Sequence, residues 1–136
     1  MEPKTISALL KTSKNYTDLL RSDVLNYNLN LTEFGVLEAL YQKGPLKVNE
    51  LLEKVLVNNS TVSYTISKLV KDGKIMQKRC TDDKRIIYVS LTSEGETLIK
   101  EIAPKHYAYI NSIGNSLSKD EEKTLRELLK KLNKGE

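Results

Sequence analysis

Two groups of side chains in this sequence have the types and spacing to do chemistry. One is Ser60, Ser63, Tyr64, Ser67, Lys68 and Lys71, which a helix would turn to a common side. The other is the loop Thr81-Asp82-Asp83-Lys84-Arg85 with Lys78, Arg79 and Cys80 just before it. Neither is a catalytic set. The sequence has no Gly-rich phosphate loop, no Ser-His-Asp order in a plausible context and no cluster of metal ligands. Short hydroxyls and cations on a face without carboxylates suit a polyanion instead. Hydroxyls approach closely and donate hydrogen bonds, while lysine and arginine neutralise phosphate. The chemistry they offer is recognition, and no catalytic residue is expected.

The elements that must position these groups lie between Val48 and Thr92. Val62, Ile66, Leu69 and Val70 form an apolar stripe at helical spacing, so the helix Asn58 to Asp72 has a core face opposite its polar one. Asn58 or Asn59 supplies its N-cap and Gly73 its stop. Val48 to Val55 is a short helix with Val48, Leu51, Leu52 and Val55 on one face, joined to the next by the tight connection Leu56 to Asn59. Two helices so joined suggest helix-turn-helix geometry. Beyond Gly73 the pattern alternates, and Ile75 to Cys80 and Ile86 to Leu91 read as two strands around the polar loop. Helix, turn, helix and a basic hairpin describe a winged helix.

Charge points the same way. Residues 68 to 85 carry seven basic side chains (Lys68, Lys71, Lys74, Lys78, Arg79, Lys84, Arg85) against three acids (Asp72, Asp82, Asp83), which accounts for the whole net charge of +4. Such a local excess is an electrostatic footprint for a phosphate backbone. The 136 residues, 39% of them apolar, suit one ordinary globular domain. No apolar run approaches the ~18 residues a membrane span requires, and the N-terminus lacks a signal-peptide core. One cysteine makes an intramolecular disulfide impossible and fits a reducing cytoplasm.

Outside the centre, residues 5 to 26 are predicted helical, with Ile6, Leu9, Leu10, Tyr16, Leu20 and Val24 near one face. Thr32 is expected to N-cap a second helix, Glu33 to Lys43, ended by Gly44-Pro45, and Leu46 to add a very short strand. Thr92 is expected to cap a helix running to about Gly114, kinked at Pro104. Ser118 with Glu121 is expected to cap a last helix carrying Leu125, Leu128, Leu129 and Leu132. The fold class is thus mainly α with a small β-wing: a winged helix-turn-helix lobe at 31–92, with N- and C-terminal helices (5–26 and 105–133) suited to pairing two copies as a homodimer. Two such lobes would meet successive major grooves of an inverted-repeat operator in double-stranded DNA.

Leu31-Thr32-Glu33-Phe34-Gly35-Val36-Leu37, Asn59-Ser60-Thr61-Val62-Ser63, Leu69-Val70-Lys71-Asp72-Gly73, Asp83-Lys84-Arg85 and Leu91-Thr92-Ser93-Glu94-Gly95, in this order and spacing, resemble the MarR/SlyA family of bacterial transcriptional regulators over nearly the whole chain. Within it, LTEFGVLEALYQKG, Cys80 and the ending SLSKDEEKTLRELLKKL look most like repressors answering hydroquinones and aromatic electrophiles. The resemblance implies a homodimeric repressor that releases its operator when a small phenolic or thiol-reactive inducer arrives. It implies that Arg85 enters the minor groove with Asp83 holding its pose. Ser60, Thr61, Ser63, Tyr64, Ser67 and Lys68 would face the major groove or flanking phosphates, with Arg79 and Lys84 supporting the wing on the backbone. Lys47 departs from the Ser or Thr that often opens the first helix of the motif, which puts that cap in doubt.

Several residues keep two readings. Cys80 is either an inert half-buried thiol or, among so many cations, a reactive sensor. Tyr16, Tyr27, Phe34 and Tyr107, with Tyr41, either line an inducer pocket or are plain core and interface aromatics. His106, the only histidine, is expected at an interface or the surface; with one cysteine it cannot make a metal site, and no cofactor is implied. The alternatives to a regulator are a winged-helix protein-interaction module and an architectural DNA-binding protein without a ligand response.

Overall fold

A computed structural model describes residues 1–55 and 59–133. Its order is α1 (Pro3–Leu25), α2 (Leu31–Lys43), β1 (Leu46–Lys47), α3 (Val48–Lys54), α4 (Asn59–Lys71), β2 (Ile75–Arg79), β3 (Ile87–Leu91), α5 (Ser93–Ile113) and α6 (Lys119–Leu132). Residues 56–58 of the tight connection, with Asn58 as the candidate cap of α4, fall outside the described residues, and Asn59 opens α4. The chain divides into two compact units, residues 1–106 and 107–136, with the boundary inside α5.

The core of the first unit collects the stripes that periodicity singles out. Val62, Ile66 and Leu69 of α4 are buried, with Val70 packed beside them. Leu51 and Val55 bury from the α3 region, and Phe34, Val36, Leu37 and Leu40 from α2. Thr65 is buried as well, which widens the core face of α4. Strand β3 lies between β1 and β2, antiparallel to both, with Leu46 opposite Val89 and Ile75 opposite Leu91. In β2 only Ile75 is buried, so the expected alternation ends after one residue. From Met76 onward the side chains of β2 are exposed, while its partner β3 keeps Val89 in the core.

Helix ends explain where the elements stop. Gly73 takes φ +76° and closes α4 in a Schellman motif, its N–H donating to the Val70 carbonyl (3.1 Å) and that of Lys74 to Leu69 (2.9 Å). The cap of α2 is not Thr32, which lies buried within the helix. Asn30 is the cap: its side chain accepts the Glu33 N–H (2.8 Å), and the Glu33 carboxylate accepts the Asn30 N–H (2.9 Å). At Lys47 a side-chain acceptor is missing, and only the reciprocal half forms, with Glu50 accepting the Lys47 N–H (2.9 Å). Helix α5 runs through Pro104 without interruption. Ser118 and Glu121 cap α6 as expected, and no residue of α6 is buried.

Thr92 joins three elements. Its hydroxyl accepts the Gly95 N–H (3.1 Å) at the start of α5 and donates to the Gly73 carbonyl (2.6 Å). Gly95 packs so closely on the chain after α4 that a Cβ there would stand 1.9 Å from the Lys74 carbonyl oxygen. Gly95→Ala should therefore force the two segments apart. We expect a loss of about 1–3 kcal/mol or more in urea unfolding, the usual range for overpacking.

His106 is not a surface residue in this fold. It is 3% exposed; its Nδ1 lies 2.7 Å from Oδ2 of the buried Asp23, and its ring meets Phe34 at 4.6 Å between centroids. The pair ties α1 to α5 across the core. Asp23→Ala leaves a buried imidazole nitrogen without its partner and should cost about 1–3 kcal/mol. Asp23→Asn keeps a hydrogen-bonding group there and should cost less in the same unfolding measurement.

Candidate nucleic-acid interface

The wing owes its shape to one carboxylate. Asp83 Oδ1 accepts from the Arg85 backbone N–H (3.0 Å) and from Nε (3.1 Å), while Oδ2 accepts from Nη2 (3.1 Å). This fork holds a guanidinium whose side chain is 90% exposed. The turn closes with the Ile86 N–H on the Asp83 carbonyl (3.0 Å), and Arg79 donates from Nη1 to the Lys84 carbonyl. Arg79 thus braces the wing from within. The Arg85 side chain, and then its backbone N–H, hold the Asp83 carboxyl below its ordinary range. A depressed carboxyl keeps its clamp at and above the ordinary carboxylate range and loses it only as pH falls through the lowered value.

Cys80 is half-buried at the foot of the wing, its N–H on the Ile86 carbonyl (2.8 Å), so the ladder extends one pair past β2. Helix α4 presents Ser60, Ser63, Tyr64, Ser67, Lys68 and Lys71 outward, with Thr61 half-buried. Tyr64 is 72% exposed, and Ser67 donates to the Ser63 carbonyl at 3.2 Å. The row expected to face a partner is therefore on one surface, adjoining the body from which the wing extends.

Lys68, on the same row, also has a partner within the protein. Its Nζ donates to Oε2 of Glu33 at 2.7 Å, and that carboxylate is nearly buried. The Glu33 hydrogen bond and charge hold the ammonium protonated to higher pH than usual. Sequence reasoning left Glu33 out of the site. The Asn30-x-x-Glu33 spacing signals a capping box, but nothing in it points 35 residues ahead to Lys68.

The four candidate sensing aromatics have different surroundings. Phe34 is core, Tyr27 is half-buried under Lys105 (5.9 Å from its ring centre), and Tyr16 is half-buried on α1. Tyr107 is exposed and belongs to the second unit. A surface depression beside α5 is lined by Lys74, Ser93, Glu94, Thr97, Leu98 and Glu101 and includes none of them. Among the described residues no helix is long and apolar enough to cross a membrane.

Comparison with known proteins agrees with this geometry. The sequence pattern of the MarR family matches residues 29–87. The chain is 37% identical over 109 residues to the uncharacterised regulator YkoM of Bacillus subtilis, spanning 80% of this chain and 71% of YkoM. It is 29% identical over 135 residues to the regulator MhqR of the same organism, spanning 97% and 93%. Sco3205, a MarR family regulator of Streptomyces coelicolor solved in complex with DNA, superposes with a TM-score of 0.90 at 22% identity, over 98% of this chain and 86% of that one. BpsR of Bordetella bronchiseptica, whose DNA binding is regulated by 6-hydroxynicotinic acid, superposes at 0.84 with 21% identity, over 96% and 98%. A winged helix with this core, this wing and these relatives belongs to the MarR family of DNA-binding transcriptional regulators, a family without enzymatic activity.

Proposed function

We propose that this protein is a homodimeric, cytoplasmic repressor that occupies an inverted-repeat operator and leaves it when a small phenolic or thiol-reactive electrophile binds. The observation that carries the reading is the Asp83–Arg85 fork, a guanidinium held outward at the tip of a basic wing. An arginine so held is suited to a narrow minor groove, where the negative potential is enhanced. Ser60, Thr61, Ser63, Tyr64 and Ser67 would meet the major groove or its phosphates, and Lys84 and Arg79 would seat the wing.

Exposed apolar side chains favour the dimer. Ile6, Leu9 and Leu10 on α1, and Leu125, Leu128 and Leu132 on α6, stand in water in a single protomer. Burying such residues against a second copy is favourable at about 25 cal/mol per Å² of apolar surface. The pairing helices are those at 5–26 and 105–133, and the reading lobe is 31–92. The regulation of BpsR by a hydroxylated aromatic acid favours a phenolic inducer.

The test is a titration of the purified protein against the region upstream of its own gene, with a scrambled fragment as control. Arg85→Ala should weaken operator binding by roughly 1–3 kcal/mol. Arg85→Lys keeps the charge and loses the fork, so it should retain binding to scrambled DNA while losing operator preference. Equal operator affinity for wild type and Arg85→Ala would remove the wing from the interface.

Adding a quinone to the bound complex tests the inducer. If wild type is released and Cys80→Ser is not, the thiol at the foot of the wing is the switch. Release of both assigns the signal to a non-covalent pocket, for which Tyr16, Tyr27, Phe34 and Tyr107 are the candidate residues. Release of neither removes the electrophile from the proposal.

A further inference from the structure

We infer that Lys68 does not contact DNA but is a positioning residue: its ion pair with Glu33 fixes the rotation and height of α4 on α2, and thereby which polar side chains α4 presents. The inference rests on the DNA-reading role proposed for α4. Lys68 has the position of a phosphate contact, one turn on from Tyr64 and beside Ser67 on the outward row. Its ammonium is turned to the protein instead, 2.7 Å from Glu33 Oε2.

The two ends of this pair differ. Exposed ion pairs hold geometry weakly, because both partners are equally well served by water. Glu33 is 4% exposed, and its other oxygen is committed to the Asn30 N–H at 2.9 Å. A carboxylate so placed cannot recover its hydration, so withdrawing Lys68 to a phosphate would leave a buried charge short of its cation. The carboxylate is also fixed to the first turn of α2 by the cap. Lys68 therefore ties α4 to backbone that cannot move independently.

Packing alone leaves α4 some freedom of register. Val62, Ile66 and Leu69 fill one face, but apolar contacts have little directionality. A short charge-assisted hydrogen bond supplies it. Tyr64, four residues before Lys68, and Ser67, directly before it, would be aimed by this bond without touching Glu33.

Salt dependence separates positioning from contact. Each phosphate neutralised by a lysine adds about 0.9 to the slope of log affinity against log salt on duplex DNA. Operator and scrambled DNA would be titrated over a range of salt with wild type, Lys68→Met, Lys68→Arg and Glu33→Gln, and thermal unfolding followed for each. Lys68→Met should leave the slope unchanged while the operator-to-scrambled ratio falls about tenfold, the scale of one misread base pair. Lys68→Arg, whose guanidinium can still pair with Glu33, should restore the ratio. Glu33→Gln keeps an oxygen for the Asn30 N–H but releases the ammonium. Its affinity for scrambled DNA should rise, its slope should steepen by roughly 0.9 per protomer, and its operator preference should fall.

A slope for Lys68→Met that is shallower by roughly 0.9 per protomer would make Lys68 a phosphate contact and overturn the inference. So would a lowered unfolding temperature with an unchanged ratio, which is a purely structural role. Failure of the DNA-reading proposal looks different: wild type itself would show no operator preference.

Discussion

A carboxylate that is nearly buried must have each oxygen occupied, and in this fold that demand sets where two helices meet. Glu33 answers it with the Asn30 N–H on one oxygen and the Lys68 ammonium on the other. The first bond starts α2, and the second brings α4 against it. The next residue, Phe34, turns into the core and meets His106, which is bonded in turn to Asp23. Adjacent residues at the start of α2 therefore hold the outward helix on one side and the α1–α5 contact on the other. Each depends on a polar group whose partner lies far along the chain, so neither survives partial unfolding of the first unit.

The wing solves a different problem with the same chemistry. Asp83 and Arg85 are close in sequence, and their pair is open to water, where an ion pair adds little stability. Its value is conformational. A free arginine side chain carries about 2 kcal/mol of rotamer entropy, much of which is lost on binding. A fork that restricts the guanidinium in advance leaves less to lose at the moment of recognition. The cost is that Asp83 brings a negative charge toward the same surface, so its carboxylate must stay on the guanidinium for the wing to remain attractive to a polyanion.

Local signals were readable without the structure. The stripe Val62, Ile66, Leu69, the Gly73 stop and the Thr92 and Ser118 caps each depend on neighbours within a few residues, and each is present. The cap of α2 was misplaced by two residues because Thr32 and Asn30 are both acceptable caps, and only Asn30 stands three before Glu33. The Lys68–Glu33 pair and the burial of His106 were not legible for another reason. The partners of Lys68 and His106 lie 35 and 83 residues away, and nothing in residue type tells which of several acids will come near. The alternation expected of β2 stops at Ile75, because the central strand β3 supplies the buried residue of the hairpin, Val89, and β2 beyond Ile75 is an exposed edge.

Charge counting needs the same correction. The seven cations between residues 68 and 85 suggest a strongly attractive surface, yet several are already engaged. Lys68 is on Glu33, Arg85 on Asp83, Arg79 on the Lys84 carbonyl, and Lys74 lies 3.8 Å from Glu94. A cation that stays paired with a protein carboxylate neutralises no phosphate, so fewer counterions would leave the DNA than a bare count of cations implies. The long-range field is less affected, because it follows net charge. On the proposed reading, such a surface would draw DNA in broadly through its excess of cations and discriminate through the few that are held in one pose. Engaging cations internally lowers the affinity for any sequence and raises the dependence on the right one, which is the balance a protein needs when non-specific sites far outnumber its own.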